Sequence, residues 1–263
     1  LGDKTDRFAP QKFAHPMTPA EAVRLLKQMD SQGPTGSYII ASSPDPAVRS
    51  RAEPNRWWPA PKGNSTKDSE IGYRRALFVD VDVMRITGYG EDGKPVFAKR
   101  ITGVSATDEE FAYARACGVK VYNFLATLFG ENALAFGHSG NGTCVLVALA
   151  AIPESPEVHE TVKGIVHAVE RRFKAEPGAE IDTSVCDAKR LIPAFGTRKR
   201  KGSGLDSERP HRDTGIIVPE PRELERVKLS GLRTALATLY EETDDAGRLD
   251  IDKAMGKKPP TTP

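Results

Sequence analysis

Cysteine is scarce in this chain. Only Cys117, Cys144 and Cys186 occur among 263 residues, and none forms a CxxC pair or stands beside a histidine at zinc-ligand spacing. That excludes a disulfide framework and a zinc finger as the organising device. Long apolar runs are also missing: none approaches the about 20 residues that a membrane helix needs. Leu1 to Pro16 is polar and mixed in charge rather than signal-like, so the expected location is the cytoplasm, with no membrane partner. Net charge is nearly absent too. Thirty-eight Lys and Arg against 36 Asp and Glu leave +2, so the distribution of charge, not its sum, has to speak for or against a nucleic-acid partner. No internal repeat is visible.

What is present is an apolar fraction of 38 %, ordinary for a folded protein, in a length that holds one large domain or two small ones. Thr18-Pro19-Ala20-Glu21 opens a helix running to about Gln32, with a threonine cap, proline at the first position and a glutamate closing the capping box. Ser37 to Ser42 reads as a short strand, and the Pro-, Arg- and Trp-containing stretch Pro44 to Ser69 as a surface loop. Arg75 to Met84 is β-branched and apolar enough for a central strand, and Gly88 to Gly103 looks like a hairpin inserted after it. Thr107 caps a long helix ending near Gly130. Ala133 to Gly137 and Thr143 to Ala150 are strands around a glycine turn. Ser155-Pro156 starts a helix to about Lys174, and Ile181 to Val185 and Leu191 to Phe195 are short strands. From Pro219 the pattern is helical to Glu242, then a polar tail ends in Lys257-Lys258-Pro259-Pro260. Helices and strands alternate with hairpins between them, which predicts a mixed α/β (α+β) fold rather than a doubly wound parallel sheet.

Two aspartates interrupt the central strand. Asp80 and Asp82 alternate, so a strand points both to one face, and two like charges side by side are costly unless water or a cation reaches them. A hydrated strand end is the plainer alternative. Asp182 stands far downstream; three carboxylates from two strands would suit a metal-dependent phosphoryl-transfer site, while a cap or turn role is suggested by Thr183 and Ser184 beside it. Ser139-Gly140-Asn141-Gly142 could cradle a triphosphate on its backbone N–H groups, or be no more than a hairpin turn. After Asp182 come Arg190, Thr197, Arg198 and Lys199, able to meet nucleotide phosphates, and then Arg200, Lys201, Arg209 and Arg212. An exposed basic loop is the alternative there. Trp57-Trp58 offers either a stacking surface or a loop anchor, packing being preferred for at least one ring. His15, His159 and His167 have no partner at ligand spacing.

These pieces in this order resemble the archaeo-eukaryotic primase superfamily, in particular the primase-polymerase catalytic domains of phage and plasmid replication proteins. The resemblance covers Asn55-Arg56, Asp68 to Ile71, Leu77 to Asp82, Gly103 to Glu110, the Ser139 to Gly142 turn, Asp182 through Gly202, and Arg209 to Arg212. It implies an α/β module packed on a sheet like the RNA-recognition motif, with the acids in the cleft between them. It further implies that Asp80, Asp82 and Asp182 are catalytic and hold Mg2+ or Mn2+. Ser139, Gly140, Asn141, Gly142, Cys144, Arg190, Thr197, Arg198 and Lys199 would bind the nucleotide, and Arg56, Arg200, Lys201, Arg209 and Arg212 the DNA. The family's second motif ends in histidine where this chain has Cys144; a buried strand cysteine is the preferred reading, with compensation by His138 or reduced activity as the others.

The expected function is therefore that of a nucleotidyltransferase: a DNA primase and DNA polymerase working on a single-stranded DNA template with primer and NTP or dNTP. The alternative is a non-catalytic single-stranded nucleic-acid-binding module of the same fold; a metal-dependent nuclease ranks last. Residues 1–217 are expected to form the catalytic domain and 218–263 a C-terminal helix and linker-like tail. The chain is expected to act as a monomer and to be a fragment of a protein continuing toward a replicative helicase, in the host cytoplasm if phage-encoded.

Overall fold

In the computed structural model, which describes residues 12–59, 66–98, 103–202, 208–218 and 223–256, the centre is a six-stranded antiparallel sheet. Its strands are β1 (Ser43–Pro44), β2 (Ile71–Val83), β3 (Leu134–His138), β4 (Thr143–Pro153), β5 (Ala179–Ile181) and β6 (Gly215–Val218). They lie in the order β5–β2–β4–β3–β6, and β1 joins the start of β2. Every ladder in this sheet is antiparallel, so the mixed α+β fold expected from the alternation of elements is the one observed. Three further two-stranded ribbons bear on the site or its surroundings: Arg85–Tyr89 with Pro95–Ala98, Tyr38–Ile40 with Leu191–Pro193, and Arg198–Lys199 with Arg212–Asp213.

The helices are α1 (Pro19–Asp30), α2 (Asp108–Phe129), α3 (Pro156–Phe173), α4 (Leu229–Glu241) and α5 (Asp245–Ala254). Three of them begin where the sequence places a cap. The Thr18 hydroxyl accepts the Glu21 N–H, Thr107 and Glu110 cap each other reciprocally, and Ser155 accepts the Val158 N–H. One face of the sheet is covered by α2, fixed there by the Thr143 hydroxyl donating to the Ala114 carbonyl at 3.0 Å and by Tyr122 against Phe136. Alongside it runs α3, with Phe173 edge-on to Phe124. Between sheet and helices lie Leu77, Val79, Val81, Val145, Val121, Leu125, Ile165 and Val169, all fully buried. Each contributes roughly 1.5–3 kcal/mol of apolar burial.

Three expectations are corrected. The strand expected over Ile181 to Val185 stops at Ile181, because the Asp182 carboxylate accepts the Ser184 N–H at 2.9 Å and turns the chain into a 3-10 turn, Thr183–Cys186. Residues 223–228 are not helical. They follow β4, with Val227 N–H donating to Ala148 and Ala150 N–H to Val227, so α4 starts only at Leu229. Past Glu242 the chain does not decay into a tail but forms α5, capped by Asp244 and anchored by buried Ile251 and Met255. The basic end of the expected tail, 257–263, and the first eleven residues lie outside the described residues.

Candidate metal and phosphate site

β2 sends Val79, Val81 and Val83 into the protein and Asp80 and Asp82 to the face opposite α2. β5 brings in the third acid. Ile181 pairs with Val81, and the next N–H, that of Asp182, donates to the Asp80 carbonyl at 3.0 Å. Asp80, Asp82 and Asp182, all half-buried, can each present a carboxylate oxygen within 4.8 Å of the others'. Asp182 therefore serves as a turn cap and as a member of the cluster together. Three carboxylates so close together could hold a metal ion. An all-oxygen, all-anionic donor set is of the kind that suits a hard cation.

The turn after β3 is a hairpin. Ser139 N–H donates to the Gly142 carbonyl at 3.0 Å, Gly142 N–H donates to the Ser139 hydroxyl, and Gly140 has φ +87°. The Asn141 side chain is buried and accepts the Ala106 N–H at 2.8 Å. Gly142 also lies directly on the acid strand: a β-carbon there would be 2.4 Å from the Val81 carbonyl oxygen and 3.4 Å from the Asp82 Cα. Cys144 stands opposite Asp80 in the register and is 1 % exposed. Burial, and then the Asp80 charge, push its thiol well above the ordinary range, so it is a neutral strand residue. His138 pairs with Thr143, which places its side chain on the α2 side against Phe111, across the sheet from the acids.

The basic residues divide into two groups. Arg190 comes close to the acids, donating to the Ser184 carbonyl at 2.5 Å and pairing with Asp187 at 2.9 Å, and so braces the turn that Asp182 caps. Lys199 packs on the turn: its Cβ would be 2.7 Å from a β-carbon on Gly140. Lys201 follows two residues later in the chain. The others are engaged by the protein's own groups. The Thr197 hydroxyl donates to the Ala194 carbonyl, Arg198 pairs with Asp213, and Arg200 with Asp30. Arg209 reaches Glu110 and Arg212 reaches Asp108 and the Ala106 carbonyl. Arg56 is on the surface, paired with Glu53 and over the Trp58 ring, far along the chain from the other basic residues. Trp57 donates to the Leu25 carbonyl of α1, so at least one of the two rings is a packing residue.

Two arrangements carried no sequence signal. Glu110, legible only as a capping-box residue, is fully buried between Arg85 and Arg209. Tyr38, one tyrosine in a short strand, carries the Lys199 amine 4.2 Å from its ring centre.

No family model matches the chain, and no curated protein matches its sequence. Among solved structures, the catalytic domain of primase RepB′ in complex with initiator DNA is similar to it over 70 % of this chain and 92 % of that one, at 12 % identity and a TM-score of 0.28.

Proposed function

We propose that this chain is a metal-dependent nucleotidyltransferase that synthesises or extends DNA primers on a single-stranded template in replication. The observation that carries the reading is the cluster of Asp80, Asp82 and Asp182 on one face of the sheet, with the glycine turn seated against the same strand. The order of motifs along the sequence supports it. The 3′-hydroxyl of a primer or initiating nucleotide would lose its proton to water and attack the α-phosphate of an NTP or dNTP. The bond to the bridging oxygen breaks and pyrophosphate leaves. Mg2+ or Mn2+ held by the three aspartates would supply the positive charge that stabilises the transferring phosphates.

The chain's own groups position the substrate. The Ser139 to Gly142 turn and Lys199 lie where the phosphate tail would run, and Arg190 holds the Asp182 turn in place. The DNA would follow the basic residues at the surface, Arg56 among them.

One observation favours a second reading, a single-stranded nucleic-acid-binding module without catalysis. The neutral, buried Cys144 occupies the position beside Asp80 where the family that the sequence resembles has a histidine. Labelled nucleotides on a single-stranded template, with magnesium or manganese, separate the readings. Lengthened product that vanishes in both Asp80→Ala and Asp82→Ala supports the transferase. Salt-sensitive binding with no product supports the module, and shortened DNA would indicate a nuclease on the same carboxylates.

A further inference from the structure

The ribbon of Tyr38–Ile40 and Leu191–Pro193 has no part in the reading above, yet its ends are tied to the acid site. Its register sets Tyr38 opposite Pro193 and Ile40 opposite Leu191, all four on one face, and Tyr38 is 44 % and Leu191 53 % exposed. At the Leu191 end, Arg190 donates to the Ser184 carbonyl, and the Ser184 N–H bonds Asp182. At the Tyr38 end, Lys199 joins the ring to the glycine turn that lies on Asp82.

Lys199 differs from its basic neighbours. Arg198, Arg200, Arg209 and Arg212 each pair with a carboxylate; among the described residues Lys199 pairs with none, and its amine rests over the Tyr38 ring instead. A half-buried amine held by the face of an aromatic ring is weakly compensated and gains by moving to an anion. Beside it lies an exposed aromatic face suited to a base.

We propose that Tyr38 and Lys199 form a nucleoside-triphosphate subsite, the amine taking the phosphate tail and the ring stacking on the base. This rests on the nucleotidyl-transfer reading and names the substrate group that each residue meets. Charge complementarity selects the occupant: Lys199 is seated on the turn that touches the acid strand, so the phosphate it meets belongs to the group that reaches the acids. A template strand passing over the ribbon would not need that connection.

The test is calorimetric binding of dATP and of inorganic triphosphate, in magnesium and without template, to the unaltered chain, Tyr38→Ala, Tyr38→Phe and Lys199→Met, with melting curves to confirm folding. Tyr38→Ala is expected to weaken dATP by roughly tenfold and leave inorganic triphosphate unchanged, Tyr38→Phe to bind as the unaltered chain, and Lys199→Met to weaken both ligands. Equal effects of Tyr38→Ala on both ligands, no effect on either, or a loss confined to single-stranded oligonucleotide would overturn the proposal. If dATP binds the unaltered chain and Asp82→Asn removes that binding while Tyr38→Ala does not, the subsite alone is wrong. If dATP does not bind the unaltered chain at all, the nucleotidyl-transfer reading falls with it.

Discussion

A β-carbon on Gly142 would stand 2.4 Å from the Val81 carbonyl oxygen, closer than two such atoms approach, so alanine there must push the hairpin away from the acid strand. Overpacking of this kind costs about 1–3 kcal/mol, and the displaced atoms include the Asp82 backbone. Gly142→Ala is therefore expected to lower the melting midpoint moderately and to reduce primer extension far more than that loss of stability explains; both are read on one preparation. At Lys199 the relevant quantity is charge. Burial first, and the neighbouring Lys201 second, bring its amine down to about 8. Below that value the amine is charged and attracts phosphate; above it the amine is neutral. Nucleotide affinity should thus fall as pH rises through about 8 or slightly higher, since a bound anion raises the amine. Lys199→Met should bind more weakly and lose that slope, which titrations on either side of the transition would show.

Among the elements, α2 depends on a buried acid. Burial alone would raise the Glu110 carboxyl, but hydrogen bonds from Arg209 and from the Thr107 and Ile86 N–H groups, with the Arg85 charge, outweigh burial and hold it below the usual range. Because the folded value is depressed, this stabilisation is complete above the unfolded value of about 4.3 and is lost as pH falls through the folded value. Glu110→Gln is expected to cost about 3–5 kcal/mol near neutral pH, and denaturant melts should show the gap to the unaltered chain closing in acid. The beginnings of α1, α2 and α3 were legible in the sequence because caps are local. So was the placement of Asp80 and Asp82, since a strand's period of two is local too. The route of 223–228 along β4 was not, because it depends on backbone pairing with a strand far away in the chain. Nor was α5, whose two apolar anchors, Ile251 and Met255, are hidden in a charged segment. The basic run after Asp182 was visible as charge, but its partners Asp30, Glu110 and Asp108 come from distant segments, so its division into structural arginines and the differently placed Lys199 emerges only in the fold.

Over the whole molecule, one face of the sheet is closed by α2 and α3, with α4 and α5 extending the core through Leu232, Leu239 and Ile251; the opposite face carries the three aspartates. No described helix is long and apolar enough to cross a membrane. The core thus lies on one side of the sheet and the acid cluster on the other. Manganese binding, followed by the paramagnetic resonance of the free ion, tests the proposed metal site at that cluster most directly in the unaltered chain and in Asp82→Asn. Mn2+ is expected to bind the unaltered chain and to be lost or weakened at least tenfold in Asp82→Asn, with a melting midpoint that rises with manganese in the first and not in the second. Equal manganese affinity in both proteins would contradict the proposed site.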